Sequence, residues 1–90
     1  MDGDQISKHE CLVYMALRDA EGWLSNADLA ALLDGDVKPR TIRLHTKRLR
    51  DLGIIHSEFT FPGYRHQASQ DGRDENYVTR LERAIEGMSL

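Results

Sequence analysis

Apolar residues recur along this chain at the spacing of an α-helix in four segments, with a short β-branched and aromatic segment between the third and the fourth. In the first segment they fall within one stripe of a helix: Leu12, Val13, Ala16, Leu17 and Ala20. Ser7 and Glu10 have the spacing of a capping box, in which each side chain satisfies a free backbone N–H group. We therefore predict that helix 1 begins after Ser7 and stops at Gly22, a residue type favoured just past a helix.

The second segment is short and begins with another capping signal. Ser25 is a typical N-cap, and Asp28 places a negative charge in the first turn. The residues that follow are mostly apolar, which predicts a largely buried helix: Ala27, Leu29, Ala30, Leu32 and Leu33. Residues 34–36, Asp-Gly-Asp, then predict a turn.

The third segment predicts an amphipathic helix at about residues 39–52. Pro39 is favoured at the first helical position, and Gly53 is a typical stop. One side of this helix collects Ile42, His45, Thr46, Leu49 and Leu52. The opposite side collects Arg40, Arg43, Leu44, Lys47, Arg48 and Asp51. The helix is therefore expected to bury one face and expose a basic one.

The remaining segments predict a hairpin and a last helix. Residues 54–61 and 64–68 are strand candidates around the turn signal Pro62-Gly63. Pro-Gly suits a type II turn, which matches the twist of a tight hairpin poorly, so we expect a tip longer than two residues. After the polar loop 69–74, residues 75–86 predict a helix whose apolar stripe is Val78, Leu81 and Ile85.

Composition limits the class of protein. Ninety residues with 40% apolar content suit one small domain with a modest core. No apolar run approaches the ~20 residues of a membrane helix, and the polar, acidic start has no signal-peptide pattern. The single cysteine excludes a disulfide within the chain and is typical of a reducing compartment, so a cytoplasmic location is expected.

The cations are distributed unevenly. The formal net charge is −3, yet half of the twelve Lys and Arg residues lie within residues 37–55, and no acid interrupts residues 38–50. These cations are Lys38, Arg40, Arg43, Lys47, Arg48 and Arg50. A solvated helix face usually interleaves both signs, so this concentration indicates a polyanionic partner.

The order of elements resembles the winged helix-turn-helix family of DNA-binding domains over about residues 7–68. The resemblance rests on residues 29–33 and 40–45 in the two motif helices, on Val37 in the turn between them, and on residues 48–55 at the junction with the wing. It implies a mainly α fold with a small β-hairpin: a three-helix core plus wing, followed by a C-terminal helix.

This resemblance implies the domain boundaries. The sequence also departs from the family pattern at three places. The winged helix-turn-helix domain is expected at 1–68, a loop at 69–74 and the C-terminal helix at 75–90. The departures are Lys38 in place of a Ser or Thr cap, Thr46 in place of a large apolar residue, and a wing with one clear cation, Arg65.

The resemblance also implies which residues would bind double-stranded DNA. Helix 3 would enter the major groove, with Arg suited to a guanine edge and Leu44 to a thymine methyl group. Lys47, Arg48, Arg50 and Arg65 are expected to contact phosphates. The full expected set is Lys38, Arg40, Thr41, Arg43, Leu44, Lys47, Arg48, Arg50 and Arg65.

Two functions stay open at this point. The first is a sequence-specific DNA-binding transcription regulator, and the second is a winged-helix protein-interaction module without DNA binding, which the acidic net charge and the single wing cation favour. Helix 4 likewise has two alternatives. Its stripe of Val78, Leu81 and Ile85 could dock on the chain's own core or pair with a second copy in a homodimer.

Neither metal chemistry nor catalysis is indicated. His9 and Cys11 are two positions apart and point to different faces of a helix, and the other histidines have no Cys or His at ligand spacing. A glycine-rich phosphate loop, a nucleophile elbow and a paired-carboxylate pattern are all absent from the sequence. We therefore expect no enzyme activity, no cofactor and no metal site.

Overall fold

The computed structural model describes residues 6–88, which form four α-helices and a three-stranded antiparallel sheet. In chain order the elements are α1 (Lys8–Asp19), β1 (Leu24–Ser25), α2 (Asn26–Leu32), α3 (Pro39–Asp51), β2 (Ile55–Thr60), β3 (Gly63–Ala68) and α4 (Glu75–Glu86). The strand order is β1-β3-β2. This is the winged helix-turn-helix architecture, with α2 and α3 as the motif, the β2–β3 hairpin as the wing and α4 following it, as the sequence predicted.

The start of α1 confirms half of the predicted capping box. Ser7 Oγ accepts a hydrogen bond from the backbone N–H of Glu10 at 3.1 Å. The Glu10 carboxylate does not return to the cap but turns inward, where it is almost fully buried and accepts a hydrogen bond from the hydroxyl of Tyr77. The helix ends at Asp19 with an extended Ala20 as its C-cap, so the prediction of Gly22 as the stop is wrong.

Helix α2 has the predicted cap but not the predicted burial. Ser25 Oγ accepts from the N–H of Asp28, and the Asp28 carboxylate accepts from the N–H of Ser25, each at 3.0 Å. Within this seven-residue helix Leu29 is buried, whereas the Leu32 side chain is 60% exposed. The prediction of a largely buried helix is wrong because two turns present only one narrow face to the core, and Leu29 and Leu33 fill it.

A strand that the sequence did not reveal precedes α2. Leu24 pairs with His66 and Ser25 pairs with Arg65, so β1 adds a third strand to the hairpin. A two-residue strand is too short to show an alternating pattern in the sequence. It joins the wing directly to the start of the helix-turn-helix motif.

The tip of the wing is shorter than predicted. Thr60 pairs with Gly63, so a two-residue loop of Phe61 and Pro62 closes the hairpin, and the peptide bond between them is cis. The expectation of a longer tip centred on Pro-Gly is wrong because Gly63 already belongs to β3.

The core lies between the four helices and the base of the hairpin. Its largest fully buried apolar side chains are Leu17, Leu29, Ile42, Leu49, Ile54, Ile55 and Leu81. In α4, Val78 and Leu81 are 6% and 0% exposed, and Ile85 packs against the same cluster. The α4 stripe therefore docks on the chain's own core, and pairing with a second copy through it stays a prediction that the structure does not test.

Residues 6–88 contain no helix that combines the length and the apolar character needed to cross a bilayer.

Candidate nucleic-acid interface

Helix α3 exposes one basic face because its apolar residues hold the opposite face in the core. Ile42, Thr46 and Leu49 are buried, and the Thr46 hydroxyl donates to the carbonyl of Arg43 at 3.1 Å, which satisfies this polar group within the helix. The exposed residues of α3 and its N-cap are Lys38, Arg40, Arg43, Leu44, Lys47 and Arg48, while Thr41 and Arg50 are partly buried. The predicted amphipathic pattern is therefore confirmed.

The N-terminus of α3 has no side-chain cap. Lys38 occupies the N-cap position with extended backbone, and its side chain accepts no hydrogen bond from the first turn. Pro39 at the next position has no N–H group to satisfy. The first-turn N–H groups that remain are partial positive charges beside the lysine and arginine side chains.

The cations of α3 differ in how they are paired. Within residues 6–88, Arg40 and Arg43 have no acidic oxygen at ion-pair distance. Lys47 Nζ lies 3.6 Å from the Asp51 carboxylate. These exposed side chains remain available to a ligand, since an exposed i,i+4 pair is worth only ~0.3–0.5 kcal/mol.

Arg48 turns away from the outer face of α3. Its Nε lies 3.8 Å from the buried Glu10 carboxylate, and its guanidinium lies 5.6 Å from the centre of the Tyr77 ring. The structure therefore places this predicted phosphate contact beside Glu10 and Tyr77, with 57% of its side chain exposed.

The predicted wing cation is also bound within the protein. The guanidinium of Arg65 donates hydrogen bonds to Glu58, with Nε at 3.0 Å, and lies 4.7 Å from the centre of the Trp23 ring. Arg65 and Glu58 face each other across β3 and β2. This pair neutralises the charge that the sequence assigned to the wing.

A groove between α3 and the wing brings basic and aromatic groups together. Arg50 lies with its guanidinium 5.7 Å from the centre of the Tyr64 ring. The groove is lined by Asn26, Arg43, Thr46, Lys47, Arg50, Tyr64 and His66. Three of the predicted DNA-binding residues thus share one surface with an aromatic ring of the wing.

The sequence pattern did not predict a role in the site for three exposed aromatic residues of the wing. The exposed fractions of Phe59, Phe61 and Tyr64 are 59%, 86% and 45%. The available signal was three aromatic residues within six positions of a turn, but the same pattern also describes a buried hairpin. Only the tertiary structure shows that the outer half of this hairpin extends beyond the core.

His66 holds the wing against the helix-turn-helix motif. Its Nε2 lies 2.8 Å from Asn26 Oδ1, and its Nδ1 lies 2.7 Å from Ser57 Oγ. With the Asn26 oxygen as acceptor, Nε2 carries the proton and Nδ1 accepts from the Ser57 hydroxyl. Burial lowers the pKa of His66, and the nearby Arg50 lowers it further. The neutral imidazole therefore ties β2 and β3 to the start of α2.

The remaining titratable groups form no metal site within the described residues. No group of three His, Cys, Asp or Glu side chains between residues 6 and 88 lies close enough to hold an ion. Cys11 is buried in the core, and this burial raises the pKa of its thiol.

Comparison with known proteins identifies the fold. No protein-family model matches this sequence, and no curated protein matches it significantly. The structure is similar to ST1889 from Sulfolobus tokodaii, with a TM-score of 0.66 and 19% identity over 92% of this chain and 80% of that one. It is similar to YusO from Bacillus subtilis, with a TM-score of 0.64 and 17% identity over 93% of this chain.

A third similar structure is BpsR from Bordetella bronchiseptica, a protein whose DNA binding is regulated by 6-hydroxynicotinic acid. Its TM-score is 0.64 at 19% identity, over 99% of this chain and 72% of that one. The chain spans 56% of the YusO chain. At these identities the similarities establish the fold alone, and this fold is a winged helix-turn-helix.

Proposed function

We propose that this protein binds double-stranded DNA in a sequence-specific manner through α3 and acts as a transcription regulator. The observation that carries the proposal is the outer face of α3. Arg40 and Arg43 are exposed there with no ion-pair partner within residues 6–88, while Ile42 and Leu49 of the same helix are buried in the core. Free arginines on a helix that the core holds rigidly are the groups that major-groove recognition requires.

In this proposal the residues of this face have different roles. Arg40 and Arg43 would contact base edges, because the planar guanidinium matches O6 and N7 of guanine together. Leu44 is 63% exposed beside them and would bury its side chain against a thymine methyl group. Lys47 and Arg50 lie further along the helix and line the wing groove, where they would contact phosphates.

Similarity to BpsR supports the proposal, since DNA binding is a property of that protein. In a regulator, α3 would occupy a promoter or operator and exclude or recruit other proteins there. A protein-docking function is the second candidate. It is favoured by an apolar groove between α1 and α2 that includes Leu12, Met15, Leu24 and the exposed Leu32.

The test compares two variants that each remove two positive charges. Arg40→Gln/Arg43→Gln alters the proposed DNA face, whereas Lys8→Gln/Arg83→Gln alters exposed positions on α1 and α4. Fluorescence anisotropy on a mixed-sequence duplex is measured at low and moderate salt. With the two phosphate contacts of Lys47 and Arg50, wild-type affinity should fall roughly tenfold between 50 and 200 mM salt.

We expect the Arg40→Gln/Arg43→Gln variant to lose at least tenfold in affinity and the control variant to retain the wild-type value. Equal losses in both would mean that net charge, and not this face, drives binding. If the wild-type protein does not bind duplex DNA at 50 mM salt, this result would contradict the proposal and favour protein docking. Selection from a random-sequence library then tests specificity, which should appear as enriched guanines and thymines.

A further inference from the structure

The outer half of the wing exposes aromatic side chains that no other element between residues 6 and 88 covers. The exposed large hydrophobic residues of the described chain are Leu32, Leu44, Phe59, Phe61 and Tyr64, and the last three belong to the hairpin or its tip. Phe59 and Tyr64 pair across β2 and β3 with ring centres 5.3 Å apart and an interplanar angle of 74°. Phe61, at 86% exposure, occupies the tip itself.

The hairpin carries its aromatic and its charged residues on opposite faces. Directly opposed residues of an antiparallel pair share one face, and successive residues alternate between faces. Phe59 with Tyr64 therefore occupies one face, and Glu58 with Arg65 occupies the other. The Arg50 guanidinium of α3 lies over the Tyr64 ring, which identifies the aromatic face as the one that continues the basic groove.

The wing has little charge to offer a polyanion. Its arginine is paired with Glu58 and stacked on Trp23. A duplex held on α3 would nevertheless reach the wing, because Arg43, Lys47 and Arg50 line the same groove as Tyr64. The chemistry that the wing presents to this duplex is apolar surface and aromatic rings.

We propose that Phe61, supported by the Phe59–Tyr64 pair, enters the base stack of the duplex held on α3, opens one base step and bends the DNA. The inference rests on the proposed function and names a second contact within it. Apolar side chains that enter a duplex from the minor groove unstack base steps and produce kinks of roughly 20–90°. The bend allows the DNA to follow the protein surface from α3 to the wing.

The wing is anchored well enough to support such a wedge. β3 is paired on both sides, with β1 and with β2, and its base is held by the hydrogen bonds of His66 to Ser57 and Asn26. The two-residue loop fixes Phe61 directly at the end of β2. A side chain that separates base pairs must be held in this way, since a loose tip would move aside instead of opening the stack.

The test measures bending and unstacking separately from affinity. A duplex selected for binding carries a fluorophore at each end, and a second version carries 2-aminopurine at successive positions. Four proteins are compared: wild type, Phe61→Ala, Phe61→Leu and Leu32→Ala. Leu32→Ala is the matched control, because it removes an exposed apolar side chain from a helix outside the wing groove.

Wild-type protein should shorten the distance between the two ends of the duplex by an amount that corresponds to a bend of at least about 20°. It should also raise 2-aminopurine fluorescence at one base step. Phe61→Ala should lose both signals and bind roughly tenfold more weakly. Phe61→Leu should retain most of the bend, because the wedge is apolar and not specifically aromatic. Leu32→Ala should match the wild type in all three measurements.

The outcomes separate this inference from the proposed function. Binding that depends on Arg40 and Arg43 with straight DNA, or with a bend that Phe61→Ala retains, overturns the wedge and leaves the proposed function intact. A preference for single-stranded over duplex DNA that depends on Phe61 also overturns it, since the ring would then stack on unpaired bases. Failure of wild type to bind any DNA removes both proposals together.

Discussion

The buried carboxylate of Glu10 on α1 accepts a hydrogen bond from the hydroxyl of Tyr77 on α4. His45 and Arg48 of α3 approach the same carboxylate, each with a nitrogen at 3.8 Å. Burial and the bond to Glu10 raise the pKa of Tyr77 to about 12, so its hydroxyl keeps its proton and remains a donor at neutral pH. This cluster joins α1 and α4 behind the helix that we propose binds DNA.

Replacement of Tyr77 by Phe should destabilise the protein by about 1.5–3 kcal/mol, because the buried Glu10 carboxylate loses its hydrogen-bond donor. Urea unfolding followed by circular dichroism measures this change in free energy. Tyr64→Phe is the matched control, since Tyr64 is 45% exposed and should change the stability by no more than about 0.5 kcal/mol. Equal effects of the two substitutions would show that the Glu10–Tyr77 bond adds no stability.

Stability should decrease as the pH falls below about 6.5, and His66 should account for part of this loss. Burial lowers the pKa of His66 in the folded protein, whereas the unfolded chain titrates near the ordinary value of 6.5. The unfolded state therefore binds more protons below pH 6.5, so the contribution of His66 is complete above that pH and is lost as the pH falls towards the folded pKa.

The check is the free energy of unfolding at pH 7.5, 6.5 and 5.5. His66→Gln should flatten the dependence on pH, whereas the exposed His56→Gln should leave it unchanged. His45 should preserve part of the slope in the His66 variant, because burial lowers its pKa as well. A profile that His66→Gln does not alter would contradict the assignment.

Gly53→Ala should be among the most damaging single substitutions outside the core. Gly53 has a φ of 73°, and a Cβ there would lie 2.5 Å from the carbonyl oxygen of Gly72. Left-handed backbone alone costs a non-glycine residue roughly 1–2 kcal/mol, and the collision with backbone adds to it. Gly35→Ala isolates the first cost, because Gly35 has a φ of 81° with open space around it. Thermal unfolding should rank wild type first, Gly35→Ala second and Gly53→Ala last.

Leu81→Ala should reduce the free energy of unfolding by about 2–5 kcal/mol, since it would leave a cavity in the core of a single chain. Leu32→Ala, at an exposed position, should change it by no more than about 0.5 kcal/mol. Both are measured over a hundredfold range of protein concentration. A Leu81 effect that depended on concentration would show that the α4 stripe contributes to pairing between copies.

The predicted set of DNA-binding residues stays a prediction, but the structure divides it. Arg40, Arg43, Leu44 and Lys47 share the exposed face that the helical periodicity indicated. Arg48 and Arg65 are bound to other parts of the protein, at Glu10 and Glu58. Periodicity locates a residue around its own helix, but it does not reveal an acid that another element brings close.

The sequence by itself determined the four helices, the hairpin and their order, because the signals for them are local, whereas the two-residue β1 gave no such signal. Ser25 and Asp28 capped α2, Pro39 began α3 and Gly53 ended it, each through contacts within a few residues. The amphipathic pattern of α3 depends equally on its own spacing. These signals predict the elements correctly because the groups that interact are neighbours in the chain.

Only the tertiary structure decided which apolar side chains of these elements are buried and which partners their charged groups contact. Val78 and Leu81 are buried in the core, whereas Phe59 and Phe61 are exposed. In the sequence all four are apolar positions of predicted elements. The Glu10 carboxylate accepts its hydrogen bond from Tyr77, a residue 67 positions away, and not from the N-cap of its own helix. Such outcomes depend on which surfaces pack together, and packing joins residues whose separation in the sequence carries no local signal.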